Sequence, residues 1–183
     1  MTVRISRFFT GGLVSVAVAV TLSGCVGAPA LTIFGELSDR CFETRTTDDG
    51  YFAYIGVTVT NSTARGVILR EARPVELINS SITEISVVPS PTAAVPFGAA
   101  PGGDLSPSQR ALWNDRTAVD GTAVAAGGTI ELLVELRARD YRKYAGLRGV
   151  HLKYDDGWFS STSTSSTAIG FVPPWANCST RAD

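Results

Sequence analysis

The chain has a single histidine, and its one methionine is the initiator. That scarcity excludes the histidine- and methionine-rich sites favoured by copper and related metals. It leaves His151 as the only imidazole a Ser-His-Asp triad can use. Lysine is nearly as rare: Lys143 and Lys153 stand among 16 basic residues, the rest being arginine. Charged residues make up 18% of the chain and the net charge is -1, without the basic excess of a nucleic-acid binder. No apolar run reaches the roughly 20 residues of a membrane-spanning helix. The three cysteines include no Cys-x-x-Cys pair, so the spacing that lowers a thiol pKa is missing. At 183 residues the chain is sized for one domain, or one domain plus a tail.

What is present begins at the N-terminus. Arg4 and Arg7 form a positive segment, and Leu13 to Leu22 form a short apolar one. Ser23 and Gly24 are small. This is the order of a secretory signal peptide. An uncleaved span would be longer and would not be interrupted by Gly11, Gly12, Ser15 and Thr21. Leu22-Ser23-Gly24-Cys25 resembles the lipobox of bacterial lipoproteins. The resemblance implies a diacylglycerol thioether on Cys25 and cleavage before it. Two acyl chains, at about 0.8 kcal/mol per buried methylene, hold a protein stably where one is marginal. The expected location is the extracytoplasmic face of the cell membrane. Residues 1–24 are then the signal peptide and 25–30 a lipidated tether. Loss of residues 1–24, with their two arginines, leaves 159 residues of charge -3, enough for a sizeable core. The arginine bias, with abundant Ala, Gly, Val and Thr, points to a GC-rich genome.

Cys41 and Cys178 remain, an even pair in an exported chain, and are expected to form a disulfide. Between them the pattern is dominated by period 2. In Tyr51–Asn61, Tyr51, Ala53, Ile55, Val57 and Val59 share one face. In Ile130–Arg137, Ile130, Leu132, Val134 and Leu136 face one way; Glu131, Leu133, Glu135 and Arg137 face the other. Leu31–Leu37, Val67–Arg70, Ile82–Val88, Val150–Tyr154, Phe159–Thr162 and Ala168–Val172 read as further strands. Asp155-Asp156-Gly157 reads as a tight hairpin with Gly157 free to take positive φ. Ser106-Pro107-Ser108-Gln109 is a capping box opening a short helix through Trp113. Asp140 is placed to cap a second, Tyr141–Ala145. The expected fold is all-β: an immunoglobulin-like antiparallel β-sandwich of seven or eight strands with one or two short helices, spanning residues 31–178, with a tail at 179–183.

The Val-x-Val-x-Asn end of Tyr54–Asn61, the Gly128–Val134 strand, and Gly149–Tyr154 followed by Asp-Asp-Gly are similar to those of immunoglobulin-like lipoproteins of actinobacteria. The resemblance implies a sandwich placed outside the cytoplasm, with no catalytic residues to carry over.

Candidates for function are few. His151 alternates with Val150 and Leu152, so it faces solvent beside Lys153, and no Gly-x-Ser-x-Gly elbow accompanies it. Asp48-Asp49 and Asp155-Asp156 each precede glycine, which turn formation explains. No metal or other cofactor is expected. Asn61-Ser62-Thr63 matches a glycosylation sequon by chance. The segment 89–104 holds Pro89, Pro91, Pro96 and Pro101 with Gly98, Gly102 and Gly103, and is expected to be an irregular loop. Long loops on rigid scaffolds carry contacts, and Phe97 and Trp113 are candidate anchors, unless they fold back onto the sandwich.

Arg137 to Lys153 carries six basic residues against Asp140, so Arg139, Arg142, Lys143 and Arg148 are candidate contacts to an anionic surface, whether headgroups or an acidic envelope polymer. The leading expectation is a non-enzymatic, lipid-anchored binding or scaffolding module for another envelope component. The alternatives are a surface hydrolase using carboxylates such as Glu131 or Asp155, and a solute-binding lipoprotein.

Overall fold

The computed structural model describes residues 30–33, 40–44, 52–89, 99–101 and 105–180. The signal peptide, Cys25, most of the tether and Phe97 lie outside the described residues.

Two sheets face each other. The first holds β1 (Leu31–Ile33), β3 (Phe52–Asn61), β9 (Thr129–Ala138), β5 (Ser80–Pro89) and β7 (Thr117–Ala118), in the order β1-β3-β9-β5-β7, with β6 (Ala99–Pro101) also on β3. The second runs β2 (Arg40–Glu43), β12 (Ala168–Val172), β10 (Ala145–Asp156), β4 (Val67–Ile78) and β8 (Ala123–Val124), with β11 (Phe159–Thr164) also on β10. The all-β sandwich expected from the sequence is present. Its pairings are antiparallel except β2 with β12, which is parallel.

The alternation supplies the core. Ala53, Ile55, Val57 and Val59 of β3 and Ile130, Leu132, Val134 and Leu136 of β9 turn inward. They meet Leu69 of β4, Leu147, Val150, Leu152 and Tyr154 of β10, and Ile169 and Phe171 of β12. These are the two inner faces of a sandwich, which in general pack about 10 Å apart. At about 25 cal/mol per Å² of apolar surface, such burial is the main favourable term in folding.

Several boundaries differ from expectation, each for a physical reason. β4 continues past Arg70 to Ile78 although Pro74 lies within it. Pro74 pairs with Val150 on one side, while β8 covers only Val67 and Ile68 on the other. Proline's missing N–H therefore falls on an edge, where it costs no ladder bond. The 89–104 loop is not wholly irregular, because Ala99–Pro101 adds to β3 as β6. The Tyr141–Ala145 helix does not form. Asp140 Oδ1 does accept from the Arg142 backbone N–H at 3.0 Å. The carbonyls of Asp140 and Tyr144, however, are taken by the Asn79 amide at 2.8 and 3.0 Å, and Ala145 pairs with Phe171 as the first residue of β10. A turn results. The capping box, by contrast, forms as read: Gln109 N–H donates to Ser106 Oγ at 3.3 Å and Ser106 N–H to Gln109 Oε1 at 3.0 Å, opening α1 (Pro107–Asn114).

Two polar side chains fix the corners. Asn79, at φ 46°, is the single residue between β4 in one sheet and β5 in the other. Asn61 is fully buried. Its Nδ2 donates to the carbonyls of Arg65, Val124 and Ala125, and its Oδ1 accepts from Thr63 N–H and Oγ1–H. The sequon asparagine is thus a structural knot.

Gly149 is the pivot of the second sheet. β12 pairs with Ala145–Arg148 and β11 with His151–Asp156, both on the same edge of β10. At the switch Gly149 takes φ 68°, and a Cβ there would lie 2.1 Å from the Ser165 carbonyl oxygen. Cys41 of β2 and Cys178 are bridged, with Cα atoms 5.6 Å apart. The bridge ties the C-terminal segment to the second sheet, as the cysteine count predicts.

Two stability outcomes follow. Gly149→Ala combines a left-handed backbone with a clash against backbone, and should lower the denaturant midpoint by the equivalent of about 3 kcal/mol or prevent folding. Replacing Cys41 and Cys178 together by serine opens a loop of 137 residues and should cost up to about 4–5 kcal/mol, read from urea unfolding.

Candidate functional site

The outer face of the first sheet is not a plain solvated surface. Leu133 of β9 and Val88 of β5 point outward yet are buried, at 1% and 0% exposure. They are covered by Leu105, by Leu112 and Trp113 of α1, and by Tyr54 of β3. The helix therefore lies on this face, and Trp113 rests on the sandwich rather than projecting from it. Its ring centroid is 4.2 Å from that of Tyr54. The Arg116 guanidinium carbon lies 4.0 Å from the Trp113 centroid, a cation–π contact.

Strand register carries this cluster across the sheet. Tyr54 stands opposite Glu135, and Glu135 opposite Glu84, so three strands contribute one row. Beside it, Phe52 stands opposite Arg137. The two acids are adjacent, and each has its own arginine. Arg116 Nε lies 3.0 Å from Glu84 Oε1, and Arg137 Nη2 3.1 Å from Glu135 Oε1. Arg137 also sits over the Phe52 ring, and Phe52 packs edge-on to Tyr54 with centroids 5.0 Å apart.

Glu84 reaches this row because of a bulge. Ile82 pairs with Leu136 and Glu84 with Glu135, leaving Thr83 as an extra residue. Ile82, Ile85 and Val87 then pack inward, while Glu84 and Val88 turn outward. A regular strand would have put Ile82 and Glu84 on one face.

Burial pushes the Tyr54 phenol above its ordinary pKa, and the neighbouring Glu135 carboxylate adds to the rise against the opposing pull of Arg116 and Arg137. Tyr54 is therefore a neutral hydroxyl at physiological pH, able to donate and to accept. β6 runs alongside at this point, with Ala100 opposite Tyr54.

The remaining sequence candidates are scattered. His151 Nδ1 is 2.9 Å from the hydroxyl of Thr164. It lines a shallow hollow of about 380 Å³ with Arg73, Pro74, Val75 and Thr164 on the outer face of the second sheet. Asp155 also belongs to that sheet, where its carboxylate binds Arg70 Nε at 2.6 Å. Glu131 is 5% exposed on the first sheet. The two carboxylates thus lie in different sheets of the sandwich and do not converge. Lys143 pairs with Asp140 at 3.2 Å and Arg148 with Glu76 at 3.4 Å. Arg139, Arg142 and Lys143 occupy the β9–β10 turn at one end of the sandwich. Among the described residues no three His, Cys, Asp or Glu side chains group as metal ligands, and no helix is long and apolar enough to cross a membrane.

The sequence reading missed the row formed by Phe52, Tyr54, Glu84, Arg116, Glu135 and Arg137. The signal for it was present in β3. Phe52 and Tyr54 alternate with the core residues, and two aromatics on the outward face of a strand predict that something covers that face.

The coupling between Glu135 and Tyr54 gives a measurable sign. Tyr54 binds its proton more tightly folded than unfolded, so its contribution to stability is complete below about pH 10 and is lost as pH rises through the folded value. Glu135→Gln should move the Tyr54 titration downward, followed by the 13Cζ shift in alkaline NMR titration. An unchanged midpoint contradicts the electrostatic assignment.

The sequence matches no family model and no curated protein. Among solved structures, the VesB protease of Vibrio cholerae is similar at 12% identity and a TM-score of 0.39, over 78% of this chain and 32% of that one. The present chain thus spans about a third of that protein. The PapD-like domain 7 of human CEP192 is similar at 10% identity and a TM-score of 0.39, over 94% of this chain and 100% of that domain.

Proposed function

We propose that this protein is a lipid-anchored module of the cell envelope that binds or scaffolds another envelope component, without catalysis of its own. What supports the binding role is the outer face of the first sheet. Trp113, Tyr54, Phe52, Arg116 and Arg137 form a continuous aromatic and guanidinium surface. Trp, Tyr and Arg are the side chains in which interface energy concentrates, because each offers a large rigid area with a polar end. Here the rings and the charges hold one another in place, so little rotamer freedom remains to be lost on binding. Ala99–Pro101 of β6 borders the patch, with Ala100 opposite Tyr54.

The anchor rests on Cys25 and the segment before it. Labelled palmitate should appear on the wild-type chain, and label that persists after Cys25→Ala contradicts the anchor. For the partner site, a photo-crosslinking amino acid at exposed position 110 on α1 should give adducts in intact cells. One at 153, on the outer face of the second sheet, should not. Arg116→Ala should weaken capture at position 110 by about ten-fold or more. Equal adducts from both positions, or adducts indifferent to Arg116, overturn the assignment of this face.

A further inference from the structure

We infer that the β10–β11 hairpin tip, Trp158 and Phe159, docks into the interfacial layer of the lipid bilayer to which Cys25 is proposed to be anchored. The inference rests on that anchoring. Asp156 pairs with Phe159, so the hairpin loop is the two residues Gly157 and Trp158. Gly157 takes φ 68° in the first loop position, as tight hairpins require. Trp158 is placed in the loop itself, 94% exposed, and Phe159 follows it at 75%. Two adjacent large aromatics at the end of a rigid hairpin bury little apolar area against their own domain.

The chain enters the fold at this same end. Ala30 N–H donates to the Tyr154 hydroxyl at 3.1 Å, and the Ala30 carbonyl accepts from Ser62 N–H at 3.0 Å. Ser163 Oγ donates to the Leu31 carbonyl. Tyr154 lies at the base of the hairpin, and Ser62 opens the loop beside it. Five residues, Val26 to Ala30, separate Cys25 from β1, a reach of at most about 17 Å. A lipid on Cys25 therefore holds this end of the sandwich at the bilayer.

Charge agrees with that orientation. The loops gathered here are Ser62–Gly66, Ala125–Gly128 and Gly157–Trp158, and Arg65 is their one charged side chain. Arg65 pairs with Asp156 at 3.0 Å. The opposite end carries Arg139, Arg142 and Lys143. Nine residue steps of β10 separate Ala145 from Tyr154, about 30 Å of strand. That exceeds the tether, so the basic turn faces away from the anchor. The charges next to these loops are held in ion pairs, Arg65 with Asp156 and Arg70 with Asp155 and Asp120, and an aromatic tip is suited to the headgroup–acyl boundary, where tryptophan is enriched.

The full-length chain, reconstituted into vesicles of phosphatidylglycerol and acyl-brominated phosphatidylcholine, tests this directly. Trp158 is one of three tryptophans, so contact with brominated chains should remove about a third of the emission relative to unbrominated vesicles. Trp158→Phe should abolish that loss; its side chain is too exposed to affect folding. Intact mass reports the diacylglycerol on Cys25 in the same sample. Lipid on Cys25 with Trp158-dependent quenching supports the inference. Lipid on Cys25 without it overturns the docking and leaves the anchor standing, as does protection of Trp158 by a second copy or another protein. A Cys25 without lipid overturns both.

Discussion

Gly149 lets one edge of β10 serve two strands. Below it the edge belongs to β12, above it to β11, and the left-handed residue between them turns the ladder from one partner to the other while admitting the Ser165 carbonyl. The other edge is committed to β4 along nearly its whole length. Without that pivot the hairpin carrying Trp158 and the strand leading to Cys178 would compete for the same backbone donors. Both ends of the second sheet, and everything they position, follow from this one backbone conformation.

The first sheet is organised differently. Its centre, β9, is covered on both faces: by the sandwich core on one side and by α1 on the other. Its alternation is therefore apolar inward and mixed outward, with Leu133 set among carboxylates. The mixed face works because Glu135 and Glu84 are each paired in place. Glu135 and Glu84 are adjacent across β9 and β5, and unpaired they would repel; Arg137 and Arg116 neutralise them and stack on aromatic rings at the same time. Arginine suits both tasks because its planar guanidinium bonds in plane and stacks on its face.

Most of the strands were legible because alternation is local. β3, β9 and β12 are read from their own residues. β4 was cut short at Arg70 because Glu71, Arg73 and Pro74 break the apolar pattern, and only pairing with β10 holds them in the sheet. β2 could not be read: its four residues are strand through a parallel partner and a disulfide far along the chain. In place of the helix expected after Asp140 there is a turn, in which the Asp140 carbonyl accepts from Lys143 N–H and from Asn79, a residue 61 positions away. Of the Tyr54 row only the β3 aromatics were legible, for the same kind of reason. Its members come from β3, β5, β9 and the residue pair after α1, and the Thr83 bulge that aims Glu84 leaves no mark in the alternation of charges. The capping box was legible because all four of its groups lie within one turn.

The Cys41–Cys178 bond also decides how the molecule carries tension. Cys41 lies 11 residues beyond Ala30, and the bond closes a covalent ring around nearly all of the sandwich. A pull arriving through the N-terminus meets β1 first, held to β3 by three residue pairs. Once β1 peels, the pull reaches Cys41 and divides between the two arms of the ring. Trp113 lies within that ring, so a load on it divides between both arms. The N-terminal end of the domain is thus a strand held by three residue pairs, followed by a body closed by a covalent ring.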